Sequence, residues 1–365
     1  MRRYPLLLIF LCCLFHTNSV HSQQLIRKEI HLPDIMGYQT LKCDLHIHTV
    51  FSDGHVWPDV RIWEAFREGL DAVAITDHLE YQPHKKYVDT VSNNAYELMK
   101  STAEELNILL IKGVEVTRKM PPGHLNALFI ENADLADDPD YEKTLQGLAD
   151  QGAFIFWNHP GWIAQAKDGI RWYDEHTRLV EKNLIHGIEV GNYGEWYPEA
   201  LGWCMEKNLT LSCNSDIHEP SDIYREYAGV KHRLVTLVFA RERTLESIRE
   251  ALLDHRTAGW FEDTLMGQEK WLNELFLQSV TLSKPFNEMD RERFYYLSNS
   301  SDVSYTLHIE NEADKSLAPE RIFMPANSTI LLSVKGQKGS VVPVSYIVEN
   351  CFIRGRENLK ITWNL

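Results

Sequence analysis

From Leu41 to Ala240, short β-branched runs alternate with longer amphipathic ones, the rhythm of parallel strands joined by crossover helices. An α/β barrel or wound sheet follows. Candidate strands lie at 41–48, 72–77, 108–117, 125–130, 153–158, 187–191, 209–216 and 234–240. Between them, the stretch 58–70 repeats Trp63, Phe66 and Leu70 at helical spacing, with Pro58 suited to a first turn. Helical stretches at 245–255 and 269–280 close this part. Beyond Pro285 the rhythm changes to strand-like runs at 303–309, 328–334, 341–348 and 359–363, separated by turns of Asn, Gly, Ser and Pro. Residues 37–282 are therefore read as an α/β domain and residues 285–365 as a small all-β sandwich domain with a packing role.

The N-terminus is read separately. Arg2 and Arg3 precede an apolar run at 6–15, and Val20-His21-Ser22 offers a small residue at a cleavage position. Residues 1–22 are expected to be a signal peptide, and the protein to be exported, periplasmic or extracellular. The run is about half the roughly 20 residues that span a bilayer, and no later stretch is long and uncharged, so no membrane span is expected. Lys plus Arg number 37 against 52 Asp plus Glu, a formal charge of -15, which leaves no general basic surface for stable nucleic-acid binding. Six cysteines without a C-x-x-C pair point away from cysteine chemistry. By strand parity, Cys43 and Cys213 face away from the candidate site. Nothing in the sequence specifies an oligomeric state.

The chemistry begins at Asp44-x-His46-x-His48, followed by Ser52-Asp53-Gly54. In a strand these alternate residues share a face, with the imidazoles about 6.6 Å apart along the chain, a gap one metal can bridge. The carboxyl end of the first strand is also where α/β barrels hold their sites. Later strands repeat the placement. His78 ends the second, Glu115 lies on the third, His124 opens the fourth, His159 follows the fifth, and Asp216 and His218 close the seventh. His46, His48, Asp53, His78, Glu115, His124, His159, Asp216 and His218 are too many donors for one ion, since a single zinc takes three or four protein ligands. Two or three divalent ions are implied, and mixed imidazole and carboxylate donors suit Mn, Fe or Zn.

Read in order, D-x-H-x-H-T-x-x-S-D-G at 44–54, T-D-H at 76–78, G-x-E at 113–115, His124, N-H-P at 158–160 and S-D-x-H at 215–218 resemble the polymerase and histidinol phosphatase (PHP) superfamily. The resemblance covers residues 41–220. It implies a distorted seven-stranded (β/α)7 barrel with a trinuclear centre. It also implies a first metal on His46, His48, Glu115 and Asp216, a second on Glu115, His124 and His159, and a third on Asp53, His78 and His218. Related amidohydrolases share the H-x-H opening but bridge their metals with a carboxylated lysine, whereas the bridging place here falls on Glu115. Residues 77–84 and the appended β domain also resemble a group of exported bacterial phosphodiesterase-like proteins.

The expected reaction is hydrolysis of a small phosphorylated substrate, a phosphodiester ahead of a monoester, by a metal-bridging hydroxide. Carboxyl ester, amide or carbamate hydrolysis on the same site, or metal binding without catalysis, are the alternatives. Asp216 is the candidate to orient or deprotonate the water. Arg118, Lys119, His84 and Asn158 are candidate substrate contacts, Arg118 and Lys119 because they follow Glu115 and could grip a phosphate oxygen. Asp44 is a candidate partner for the imidazoles, Glu189 and Asn192 for the pocket wall, and Trp196 and Tyr197 for stacking on substrate.

Overall fold

The computed structural model describes residues 25–91, 93–289, 291–337 and 339–365; the expected signal peptide, 1–22, lies outside them. The first part runs β1 (Gln39–Ile47), α1 (Pro58–Glu68), β2 (Ala72–Ile75), α2 (Asn94–Glu105), β3 (Leu109–Val116), β4 (Leu125–Leu128), α3 (Tyr141–Asp150), β5 (Phe154–Trp157), α4 (Asp174–Glu181) and β6 (Gly187–Asn192). It continues with a short β7 (Glu195–Trp196), α5 (Pro198–Lys207), β8 (Thr210–Asn214), α6 (Ser221–Ala228), β9 (Val235–Ala240), α7 (Leu245–Leu253), β10 (Thr257–Phe261), β11 (Thr264–Gly267) and α8 (Glu269–Ser279). Helix α1 starts on Pro58, as its sequence suggested, and stops at Gly69, whose φ of 85° only glycine adopts without cost.

Seven strands, β1-β2-β3-β4-β5-β6-β8, form the series that carries the site. Most neighbours are parallel, but β4 runs antiparallel to both β3 and β5. The cause is local: only residues 117–124 separate β3 from β4, too short a link for the crossover of a dozen or more residues that a parallel neighbour requires. No continuous ladder joins β8 to β1 among the described residues. The two ends of the series meet instead at their carboxyl rim, through an isolated Ile47–Ile217 bridge. Asp216 N donates to His46 O at 2.9 Å and His48 N to Ile217 O at 3.1 Å. The strand expected at 234–240 exists as β9 but lies outside this series, antiparallel to the first half of β1. It leads on to β10 and β11.

The C-terminal part is all-β apart from a 3-10 turn at Glu312–Ser316. Its strands are β12 (Val280–Leu282), β13 (Asn287–Glu288), β14 (Glu292–Asn299), β15 (Tyr305–Ile309), β16 (Arg321–Met324), β17 (Ser328–Lys335), β18 (Pro343–Arg354) and β19 (Glu357–Asn364). One sheet pairs β14 with β12, β13 and β17, and the other runs β16-β15-β18-β19. Alternate residues of β14 and β19 are buried, the period-2 pattern of strands with one face on a core. The second sheet also extends the α/β sheet, because β18 pairs in parallel with β11 at Cys351 and Phe352. Phe276 on α8 packs between Tyr305 and Trp363, at 5.1 and 6.2 Å between ring centroids, so the two parts share a core.

Candidate metal centre

All nine donor residues converge at the carboxyl rim where the strand series comes together. His46 and His48 are wholly buried, and their Nε2 atoms face each other at 3.1 Å. Asp216 Oδ1 lies 3.2 and 3.0 Å from these two nitrogens, and Glu115 Oε2 lies 3.6 and 3.4 Å from them. Four donors around one ion at about 2.1 Å would stand about 3.4 Å apart, and these five distances lie close to that value, with the donor atoms of His46, His48 and Asp216 all within 4.8 Å of one another. A second observation agrees. Glu115 Oε2 is buried and accepts no hydrogen bond, although His78 Nδ1 approaches to 2.8 Å. An orphaned buried carboxylate oxygen is costly unless a cation neutralises it.

The other carboxylate oxygen of Glu115 looks into a second group. Its Oε1 lies 3.0 Å from His124 Nδ1 and 3.4 Å from His159 Nε2. A third group forms around Asp53, whose Oδ1 is 3.2 Å from His218 Nε2 and whose Oδ2 is 3.4 Å from His78 Nε2. His78 stands between the last two groups, and the donor atoms of His78, Glu115 and His124 lie within 4.8 Å of one another. Asp216 links outward as well, with Oδ2 3.9 Å from His159 Nε2.

Side chains distant in sequence hold these donors in place. Wholly buried Glu189 accepts from His46 Nδ1 (2.9 Å) and Asn214 Nδ2 (2.9 Å) on one oxygen, and from His159 N (2.8 Å) and Asn192 Nδ2 (2.9 Å) on the other. It fixes the His46 tautomer so that Nε2 faces the cage. Asp216 O does the same for His218, 2.7 Å from its Nδ1, and Thr117 Oγ1 anchors His78 Nδ1 at 2.6 Å. Asp77 takes up Thr49 N, Thr49 Oγ1 and Ser52 Oγ, pinning the turn that returns Asp53 over His48. That turn requires Gly54, since a Cβ there would sit 2.7 Å from His48 C and Thr49 N. Arg61, fully buried on α1, donates to the carbonyls of His48, Ile217, His218 and Glu219. It thereby ties the end of β1 to the segment after β8. His159 and Asp216 have φ values of 26° and 52°, an uncommon backbone region for residues with a Cβ that is met at functional sites.

The charges are strongly coupled. Burial opposes ionisation of Glu115, yet His78, His124 and His46 hold its carboxyl well below the usual range. Burial likewise opposes the charged form of Asp216, and His46, His48 and His218 overcome it. Against its own burial, His218 is pushed up to about 9 by Asp53 and Asp216. His48 goes the other way, to about 4, through burial and the neighbouring His218 and His78. Clustered carboxylates that stay ionised among imidazoles that can lose their protons form a donor set suited to divalent cations.

Several sequence expectations are corrected. Arg118 is paired with Glu80 and donates to Asp138 O at 2.9 Å, so its guanidinium is already engaged. Asn158 is fully buried and donates to Glu115 Oε1 at 2.7 Å, which makes it a support for that carboxylate rather than a substrate contact. Neither they nor Lys119 and His84 line the cavity of about 340 Å³ above the donors. Asp44 reaches no imidazole; it accepts from Ser215 N, Ser215 Oγ and Arg233 Nη1. Trp196 packs on Phe352 at 4.7 Å, whereas Tyr197 and Asn192 do line the cavity. Glu189 was expected only at the pocket wall, and its role as acceptor for His46 was not foreseen. Arg61 gave no signal at all, a lone arginine on an amphipathic helix being ordinarily a surface charge. Cys43, Cys204, Cys213 and Cys351 are buried and free, with thiols pushed up by burial.

Comparison with known proteins agrees with this picture. Residues 44–201 match the model of the PHP domain, and residues 280–364 match that of an Ig-like domain. The crystal structure of a two-domain protein of Bacteroides vulgatus, containing a predicted PHP-like metal-dependent phosphoesterase, is 40% identical. It superposes with a TM-score of 0.89 over 93% of this chain and 99% of that one. An uncharacterized protein of Methanocaldococcus jannaschii is 27% identical over 194 residues, which are 50% of this chain and 84% of that protein.

Proposed function

This chain belongs to the PHP family, and from that premise we propose that it is a metal-dependent hydrolase of phosphate esters. The observation that carries the reading is Glu115, whose two oxygens face two adjoining donor groups while one of them lacks any hydrogen bond. His46, His48, Glu115 and Asp216 would hold one ion, Glu115, His124 and His159 a second, and Asp53, His78 and His218 a third. Such ions supply Lewis acidity and an activated water at neutral pH.

The chain's own residues do the rest. Glu189 and Asn158 keep His46 and Glu115 from turning away when substrate enters. Asp216 Oδ2, with Asn192 Nδ2 at 3.4 Å and His159 Nε2 at 3.9 Å, is the carboxylate oxygen to which this reading assigns the proton of the attacking water. Among the described residues no Lys or Arg lines the cavity, so a monoester dianion finds no permanently charged side chain for its additional charge. That supports a phosphodiester ahead of a monoester. Read as a signal peptide, residues 1–22 support a reaction outside the cytoplasm.

Purified protein loaded with Mn, Fe or Zn should hydrolyse a chromogenic phosphodiester faster than the matching monoester, and lose the activity with chelator or with His46→Ala. Full activity in metal-free protein, or turnover of carboxyl esters and amides but of no phosphate ester, would refute the proposal.

A further inference from the structure

The cavity above the donors is made of two unlike halves. Its floor is the imidazole and carboxylate cluster; its outer wall is Trp162, Ile163, Tyr193, Tyr197, Glu195 and Glu219. Trp162 is 43% exposed and Ile163 71%, an open apolar surface beside a highly polar site. The Trp162 ring stands 5.6 Å from His124 and 5.3 Å from His159 between centroids, so its surface begins where the reacting phosphate must end. Glu195 Oε2 accepts from Tyr197 OH at 3.3 Å and Glu219 Oε2 from Tyr193 OH at 3.2 Å. These bonds hold the two carboxylates in place without neutralising them.

Resting on the phosphoesterase reading, we infer that this outer wall selects the leaving group. It accepts ring-bearing alcohols that are neutral or positively charged, and rejects esters that carry a second anionic group. Imidazoles, and the cations the cluster would hold, offset Asp53, Glu115 and Asp216. Glu195 and Glu219 face the cavity, with no Lys or Arg in its lining among the described residues. A leaving-group charge about 6 Å from one of them, at an effective dielectric of about 40, changes binding about tenfold, downward for an anion and upward for a cation. An alkylammonium over the indole of Trp162 gains further from the ring quadrupole. Nucleoside polyphosphates, sugar bisphosphates and oligonucleotides fall into the rejected class.

The test uses three methyl aryl phosphodiesters with a para trimethylammoniomethyl, neopentyl or carboxymethyl group. The methylene lessens the effect of the charge on the acidity of the phenol, and comparing the span between parent and variant cancels what remains. With metal-loaded protein at low salt, kcat/KM should fall from cation to neutral to anion across a span of at least about tenfold. The Glu195→Gln/Glu219→Gln double variant, and high salt, should each compress that span to below about threefold. Calorimetric binding of the three matching para-substituted phenylphosphonates reads the same order without turnover. An unchanged span in the double variant, or preference for the anionic ester, overturns the inference. Charge-ordered binding with no hydrolysis of any phosphate ester leaves the charge selectivity of the wall standing and removes the phosphoesterase reading, and with it the leaving-group role; hydrolysis with no charge order overturns the inference and keeps that reading.

Discussion

Replacing Arg61 by lysine is the sharpest available test of how the donors are held. All five guanidinium N–H groups are used: Nε on His48 O (2.8 Å), Nη1 on Glu64 Oε2 (2.8 Å) and Glu219 O (2.7 Å), and Nη2 on Ile217 O (3.0 Å) and His218 O (2.7 Å). Lysine keeps the charge but brings at most three donors, so at least two acceptors lose their partner. A buried acceptor left without a donor costs about 1–3 kcal/mol. Ile217 O and His218 O retain second donors, His48 N and His55 N, so the lower half of the range applies. The expected loss is about 2–3 kcal/mol, a substantial part of the roughly 5–15 kcal/mol that keeps a domain folded. In thermal unfolding that corresponds to a fall of about 5 °C. Two of the four carbonyls belong to donor residues His48 and His218, so metal affinity should drop together with stability, by about 10–100-fold. Denaturant unfolding of metal-free protein and metal titration against a chromophoric chelator measure the two effects. An Arg61→Lys protein within about 0.5 kcal/mol of the parent and with unchanged metal affinity would show that the carbonyl clamp does not hold the site.

Other expected outcomes rest on separate contacts. Glu189→Gln puts an amide where four donors now converge, and should lower metal affinity about 10–100-fold by competition titration while leaving the circular dichroism unchanged. Gly54→Ala places a Cβ against the backbone of His48 and Thr49, and should remove metal binding at the Asp53 group in a loaded crystal structure; full occupancy there would contradict the contact. His218, held up to about 9 in the folded metal-free protein, contributes stability that is complete below its ordinary value near 6.5 and is lost as pH rises through about 9. A ligand must release that proton, so metal affinity should climb between pH 7 and 9 with proton release visible in buffers of different ionisation enthalpy. A pH-independent affinity would count against His218 as a donor. Mass analysis of protein recovered from outside the cytoplasm should show a chain beginning after Ser22.

Local periodicity made much of the α/β part and its donors legible. Alternation along one strand puts His46 and His48 on one face whatever the rest of the chain does, and strand ends at Glu115, His159 and Asp216 follow from short apolar runs. The reversal of β4 was missed, although the short 117–124 link that causes it was in view. Arg118 and Asn158 looked like substrate contacts because adjacency to a donor says nothing of direction. Arg118 turns to Glu80, and Asn158 turns in toward Glu115.

The amino-acid order alone thus specified which residues offer donor atoms and that most of them stand at strand ends. Tertiary folding alone decided what aims them. Glu189 meets His46 across 143 positions and Arg61 meets His218 O across 157, and no periodicity reaches that far. It also decided the wall opposite the donors, because Trp162, Tyr193, Glu195 and Glu219 become neighbours only when loops after β5, β6 and β8 meet over the cavity. Side-chain type and spacing are written locally; direction, charge balance and the shape left open for a ligand arise from packing between distant segments.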